Sequence, residues 1–482
     1  MQVFSQIANL ASLNDVDSAW QKAVQSSAIV GVGSAFKSAM SKIDGDAVRK
    51  AGSLLQMLGY LSALVLFAAL GMRQFAEDKG GLGIIALGGF AVWTLGYLLG
   101  GKESRRSNAV DIIVLIFFAI NIVAACASHY FIPSIKGLQK IIVYISSYFY
   151  FTAILRDSPK RKLVLVSILV LAGVVESLYG FDQFRNHVQP LATWEDPTVE
   201  SQGTRIFSWL GNPNLLAGYL IPICPLALAL GFGALSSGRF LLSIPALVSA
   251  AIICVAIVLT GSRGGYLAIA AAGATISWMA VARFWVLKPK ARIFIVILSI
   301  AVPVILLLGL HFVPSFEQRV TSIFAGREHS SNSYRINVWI ASWRMFLDNW
   351  WIGIGPGNQV FRLAYGLYMV SGFDALGTYC VPLEVAVECG IFGLAAFALL
   401  LISLFARAHI SFWSTNADSS NKLSLEQWLT AGATAALIGL MAQGMVDTVF
   451  YRPQVHFIFW LAVALIVTDS KGSKKPLSGT HN

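Results

Sequence analysis

One short segment of the chain has the residue types of a phosphate-binding turn. Residues 260–266 read T-G-S-R-G-G-Y and lie between two apolar runs. The glycines allow close backbone approach, Ser262 can donate a hydrogen bond, and Arg263 carries a fixed positive charge, so this turn is suited to a diphosphate. An ordinary helix connector that happens to contain one arginine is the alternative interpretation.

A second segment places an arginine and two asparagines just before an apolar run. Residues 205–214 read R-I-F-S-W-L-G-N-P-N. Asn214 is predicted to cap the following helix, and Asn212 with Pro213 to form a turn, although both asparagines are also candidates for substrate binding. Arg205 has no such local role, which makes it the second candidate for binding phosphate.

Acidic residues inside apolar runs are costly in a membrane and are therefore candidate functional residues. The sequence has five of them: Asp111, Glu176, Glu384, Glu388 and Asp447. Glu384 and Glu388 are four residues apart, so they lie on one face of a helix. Asp447 precedes Arg452 by five residues, which allows either a salt bridge or a substrate-binding pair. A structural partner is the more plausible role for Glu388.

The chain shows no signature of a metal site, a disulfide framework or a nucleotide cofactor. Its five cysteines include no C-x-x-C pair, and most lie in apolar runs. The glycine-rich residues 351–358 follow no predicted strand, and Pro356 removes a backbone donor, so a rigid turn is expected there rather than a nucleotide loop.

Composition places these residues in a membrane. The 482 residues are 56% hydrophobic and only 12% charged, whereas a soluble protein has about 25% charged residues. The net charge of +11 is attributed to cationic loops on the cytoplasmic side and not to nucleic-acid binding.

Apolar runs predict an all-α, polytopic helical bundle. A bilayer core of about 30 Å requires roughly 20 apolar residues per helix. Twelve spans meet this requirement, of which the fourth and the last are short: 52–71, 82–100, 109–128, 141–155, 163–180, 214–234, 240–260, 266–284, 293–313, 378–404, 427–448 and 456–469.

The distribution of Lys and Arg predicts that both termini are cytoplasmic. From Arg205 onward, the segments predicted outside contain eight arginines and no lysine, and arginine is well suited to phosphate oxygens.

The spans divide the chain into four regions: a cytoplasmic leader, N-terminal transmembrane helices, a membrane core with a large outer loop, and a cytoplasmic tail. They cover residues 1–51, 52–180, 181–469 with the loop at 314–377, and 470–482. Within the loop, residues 335–347 have helical apolar periodicity through Ile336, Trp339, Ile340, Trp343, Phe346 and Leu347. This helix is expected to lie on the membrane surface, to cover the bundle as a lid, or both.

Taken in their order along the chain, the short motifs of this sequence resemble those of the O-antigen ligase and polymerase superfamily over roughly residues 160–465. The resemblance rests on Arg205 with 211–214, on 261–265, on Arg335-x-x-x-Trp339 and on 353–357. Residues 351–358, 379–388 and 446–455 are most similar to the cyanobacterial branch named for inorganic-carbon transport protein B.

The resemblance implies a metal-independent, inverting glycosyltransferase in the inner (plasma) membrane. Such an enzyme moves a glycan from an undecaprenyl diphosphate carrier to a saccharide or lipid acceptor on the outer face. The superfamily's two functional arginines correspond to Arg205 and Arg263, with Arg335 helping to position the substrate. Ligases have a histidine where this chain has Tyr379. Because tyrosine has a pKa near 10, the base could be Tyr379, Glu384 or His329.

The branch name and the buried acids suggest an alternative function. In this alternative the protein transports bicarbonate or another small anion, or assists its uptake, with Glu384, Asp447 and Arg452 forming an intramembrane relay.

Overall fold

The computed structural model describes residues 2–41, 45–75, 80–103, 105–156, 158–189, 191, 204–287, 330–370, 372–414 and 423–469. These residues form α-helices, short 3₁₀ turns and connections, and none of them is in a strand. The predicted all-α class is confirmed.

The helices before the Arg205 segment are α1 Gln2–Ser12, α2 Asn14–Gln25, α3 Ala28–Ser41, α4 Gly45–Ala69, α5 Gly81–Leu98, α6 Ala109–Ala127, α7 Phe131–Leu155 and α8 Pro159–Arg185. Those after it are α9 Pro213–Ser236, α10 Phe240–Leu259, α11 Arg263–Leu287, α12 Ser330–Asp348, α13 Asn358–Tyr365, α14 Val381–Trp413, α15 Leu425–Gly444 and α16 Pro453–Val467.

Among the described helices, nine are long and apolar enough to cross a bilayer: α4 to α11 and α14. The α15 helix is less apolar, and α16 is apolar but has only 15 residues. The predicted span 293–313 lies outside the described residues, so the count of twelve stays a prediction. The fourth span is longer than predicted: α7 starts at Phe131 because Pro133 is tolerated in a first helical turn.

The α9 helix is the centre of the bundle. It packs against α8, α10, α11, α15 and α16, and 83% of its apolar window is buried. Local sequence fixes where it starts, because the Asn212 side chain accepts hydrogen bonds from the N–H groups of Asn214 and Leu215, and Pro213 occupies the first helical position. At this end of the bundle α9 and α11 begin and α10 and α15 end, and we call it the site end.

Part of the predicted outer loop forms a cap on α7 and α14. The α12 helix packs on α14 and α13, and α13 packs on α7. The buried face of α12 consists of Val338, Ala341, Ser342, Met345 and Phe346. Of the predicted apolar stripe, Phe346 is buried on this face, whereas Ile340, Trp343 and Leu347 are exposed; its contact with the membrane surface stays a prediction. The helix has apolar side chains on two faces, and only one of them covers the bundle.

The α14 helix is interrupted at Gly390, where φ is +65° and ψ is −166°. The glycine-rich turn crosses the helix at this point. The N–H groups of Ile354 and Gly355 donate to the carbonyls of Val387 and Glu388, at 2.9 and 3.0 Å, and the N–H of Ile391 donates to the Trp350 carbonyl. The turn thus satisfies backbone groups that a helix break would leave unpaired in a membrane. Residues 351–358 form a turn that leads into α13, as expected from the sequence, with positive φ at Gly353, Gly355 and Gly357.

We expect Gly390→Ala to prevent correct folding. Its backbone conformation is nearly restricted to glycine and costs a side-chain residue about 1–3 kcal/mol, and the added Cβ would overlap the Trp351 carbonyl. The matched control is Gly273→Ala in α11, where a Cβ meets nothing within 4 Å. Size-exclusion profiles and thermal melts of the detergent-solubilised proteins test this. A monodisperse Gly390→Ala protein with the wild-type melting temperature would contradict it.

Candidate functional site

At the site end of the bundle, the Arg205 segment lies against the Thr260–Arg263 turn. The Nε of Arg205 donates to the Thr260 carbonyl at 2.9 Å, and the N–H of Ile206 donates to the Leu259 carbonyl at 3.2 Å. A terminal nitrogen of Arg205 also lies 3.3 Å from Oδ1 of Asn214. Two segments separated by about fifty residues therefore form one arginine-rich surface.

The Arg205 segment is held in place by α8. Oε1 of Gln183 accepts hydrogen bonds from the N–H groups of Phe207 and Ser208, at 3.1 and 2.8 Å. The Ser208 hydroxyl donates to the Glu176 carboxylate, and its oxygen also lies 2.9 Å from the Glu176 carbonyl. Glu176 therefore has a structural role. Sequence reasoning did not identify Gln183, although an uncharged polar side chain near the end of an apolar span is a usable signal.

The prediction that Asn214 caps α9 was wrong. Asn212 caps α9, and Asn214 places its side-chain oxygen next to Arg205. The cap falls on Asn212 because Pro213, which lacks an N–H, takes the first helical position. Gln443 of α15 donates to the Asn214 carbonyl at 3.1 Å. This buried glutamine, also missed from the sequence, connects α15 to the same corner.

The Thr260–Arg263 turn leads directly into α11. Oγ of Ser262 accepts a hydrogen bond from the Gly265 N–H at 3.2 Å, and Ser262 is 1% exposed. Ser262 therefore acts as an N-terminal cap. Arg263 is the first residue of α11 and is half-buried. A Cβ on Gly264 would lie 3.0 Å from Val446, so the start of α11 lies against the end of α15. The N-terminus of a helix favours bound anions.

A third arginine approaches from the cap. Arg335 of α12 forms an ion pair with Asp447 at 3.7 Å, and its guanidinium lies 6.0 Å from the centre of the Tyr379 ring. The sequence suggested Arg452 as the partner of Asp447, but the ion pair recorded for Asp447 is with Arg335. Arg452 donates to the Leu210 carbonyl at 3.3 Å.

Tyr379 has an unusual backbone conformation immediately before α14. Its φ is +54°, in the left-handed region that bulky residues rarely adopt. Its carbonyl lies 3.3 Å from Nε1 of Trp339, and its ring packs edge-on against Tyr334. The surrounding cap therefore holds Tyr379 beside Arg335. His329, another candidate base, lies outside the described residues.

Most of the acids found in apolar runs have structural partners. Asp111 takes part in the capping box of α6 and pairs with Arg105. Oε1 of Glu388 accepts a hydrogen bond from the Gly357 N–H at 3.0 Å. Glu384 differs from them: its Oε2 is buried and accepts no hydrogen bond from any residue that the structure describes. Of the five acids, Glu384 is therefore the strongest candidate for a substrate contact.

The fold and the site define the class: an all-α, multi-pass membrane protein with an arginine-rich surface at one end of its helices. Residues 248–398 match the family described as O-antigen ligase. The match runs from within α10 into α14 and includes Ser262, Arg263, Arg335, Tyr379 and Glu384. Over this stretch the chain is similar to O-antigen ligases. No curated protein matches the chain.

Proposed function

We propose that the protein is a membrane glycosyltransferase of the O-antigen ligase or polymerase type. It would transfer, or polymerise, a glycan linked to undecaprenyl diphosphate, with a saccharide or lipid as acceptor. The observation that carries this proposal is the contact between the Arg205 segment and the turn that starts α11 at Arg263. The match to the O-antigen ligase family supports it.

In this mechanism the arginines bind the leaving diphosphate. The acceptor hydroxyl oxygen attacks the anomeric carbon of the donor sugar, and the bond from that carbon to the diphosphate oxygen breaks. The diphosphate keeps the bonding electrons, and the guanidinium groups of Arg205 and Arg263 neutralise its growing charge. Arg335 orients the substrate, and Asn214 and Asp447 orient the two arginines that they contact. Asn212 and Ser262 act by fixing the helix starts beside the diphosphate.

The proton of the acceptor hydroxyl must pass to a base. We assign Glu384 to this role, because its buried carboxylate oxygen accepts no hydrogen bond from the described residues and is free to accept one from a substrate. Tyr379 lies five residues earlier and would position the acceptor. We place the reaction on the outer face of the inner membrane, with both termini in the cytoplasm, on the basis of the lysine and arginine distribution.

The contacts do not favour the alternative role in transport or uptake of a small anion such as bicarbonate. That role required Glu384, Asp447 and Arg452 to act as one relay. The structure instead pairs Asp447 with Arg335, and Arg452 donates to the Leu210 carbonyl. The likeness to the inorganic-carbon branch stays a prediction from the sequence.

Binding of the carrier lipid tests the proposed function. Purified full-length protein in detergent is titrated with undecaprenyl diphosphate. We expect Arg263→Ala to weaken binding by about 10-fold to 100-fold, because a charge-assisted hydrogen bond contributes about 1.5–3 kcal/mol. The matched control is Arg185→Ala, which removes an exposed arginine from the last turn of α8 and should bind like the wild type. Equal affinities for Arg263→Ala and the wild type would contradict the proposal.

A further inference from the structure

A cavity of about 950 Å³ opens beside the arginine-rich surface, between α5, α6, α7, α14 and α16. This volume is within the range of small-molecule sites. The connection from α15 to α16 borders both the cavity and the arginine-rich surface. Arg452 of that connection lines the cavity and also donates to the Leu210 carbonyl in the Arg205 segment. Val381, which also lines the cavity, lies 2.9 Å from a Cβ placed on Gly444. The cavity therefore adjoins the arginine-rich surface.

Two of the helices that line the cavity carry opposite charges. Glu384 and Glu388 line it from α14, and Lys136 and Lys140 line it from α7. The spacing of four residues places each pair on one helix face. Glu388 already accepts a hydrogen bond from the Gly357 N–H, but the buried Oε2 of Glu384 has no hydrogen-bond donor among the described residues. Neither lysine forms an ion pair with a carboxylate in the described part of the chain.

These charges select the chemistry of a ligand. An apolar molecule would leave the Glu384 carboxylate desolvated and unpaired, which is unfavourable. A simple anion would meet two carboxylates, and a simple cation would meet two ammonium groups. A molecule that has both hydroxyl groups and a carboxylate satisfies both sides. Stacked rings of Tyr144, His456 and Phe450, with centroids 3.8 and 4.5 Å apart, add an apolar wall.

We propose that this cavity binds a saccharide that carries a carboxylate, such as a uronic acid unit. The sugar hydroxyls donate to Glu384, and Lys136 and Lys140 hold the sugar carboxylate. Because the cavity contains the proposed base and adjoins the arginines, its occupant is the acceptor of the transferred glycan. That acceptor role rests on the proposed function, whereas the binding itself does not.

Direct binding tests this inference. Full-length protein in lipid nanodiscs is titrated calorimetrically with trigalacturonic acid and with its neutral counterpart galactotriose. We expect the acidic trisaccharide to bind at least tenfold more tightly. Lys140→Ala and Lys136→Ala should each weaken its binding by about tenfold without changing the affinity for galactotriose. Glu384→Gln should weaken binding of both sugars, because it removes the charge from the hydroxyl acceptor.

A matched lysine variant serves as the control. Lys160→Ala removes an exposed lysine at the opposite end of the bundle and should bind trigalacturonic acid like the wild type. Equal affinities for the two trisaccharides, or an unchanged affinity in Lys140→Ala, would overturn the selection of a carboxylate. If neither sugar binds, the saccharide site is wrong. The proposed function would still stand if undecaprenyl diphosphate binds and Arg263→Ala weakens that binding.

Discussion

Arg205→Ala is expected to lower the rate of glycan transfer by about 10²-fold to 10³-fold, which is the usual effect of removing one preorganised donor to a developing negative charge. The side chain is already oriented, because its Nε donates to the Thr260 carbonyl and a terminal nitrogen contacts Asn214. The initial rate of transfer in isolated membranes that contain equal amounts of each variant measures the effect.

Arg205→Lys separates charge from geometry. An ammonium group keeps the positive charge but cannot make both directed contacts of a guanidinium. We therefore expect Arg205→Lys to retain more activity than Arg205→Ala and to stay more than tenfold below the wild type. Arg185→Ala, at the exposed end of α8, should be fully active. If lysine restored the wild-type rate, charge alone would be sufficient and the proposed orientation of Arg205 would be wrong.

The second large effect is expected at the opposite end of the bundle, where α2 is attached to α14. The guanidinium of Arg407 contacts Asp17 at 2.7 and 3.2 Å, and its Nε donates to the Ser12 carbonyl. Both side chains are buried, with exposures of 4% and 9%. Removing one partner of such a pair leaves a buried charge, so Asp17→Ala should lower the free energy of unfolding by about 3–5 kcal/mol. Thermal melts of the purified proteins measure the loss.

A more exposed ion pair serves as the comparison. Arg161 and Glu103 have side-chain exposures of 24% and 34%, so Glu103→Ala should cost no more than about 1 kcal/mol. The double variant of Asp17→Ala with Arg407→Ala should be no less stable than Asp17→Ala alone, because it contains no unpaired charge. A double variant that loses the sum of the two single effects would show that the residues act independently.

The sequence predicted the helices well because apolar length is a local property. It was less accurate where the structure depends on distant contacts. Gly390 lies within an apolar run, and nothing near it in the sequence shows that residues 351–355 cross the helix there. The partner of Asp447 was likewise missed: Arg452 is closer in the sequence, but Arg335 reaches Asp447 from the cap.

The candidate site was partly predictable, because some of its residues belong to local sequence patterns. Arginines beside turns at the start of α9 and α11 are visible as local patterns, and the structure places Arg205 against the Thr260 carbonyl. The supporting glutamines Gln183 and Gln443 act on segments about 25 and 230 residues away, so their roles emerge only from packing. The cavity that contains Glu384 is formed by α5, α6, α7, α14 and α16 together and has no signature in any one of them.

The exported glycan of cells provides the most direct test of the proposed transfer reaction. Cells that lack the gene are complemented with the wild type, Arg263→Ala or Arg239→Ala, the last of which changes an exposed arginine at the opposite end of the bundle. The proposal predicts that Arg263→Ala leaves the exported glycan as short or as scarce as in the deletion strain. Arg239→Ala should restore the length and amount of the exported glycan. Inorganic-carbon uptake should be the same in all strains. Full restoration of glycan length and amount by Arg263→Ala would contradict the proposed function.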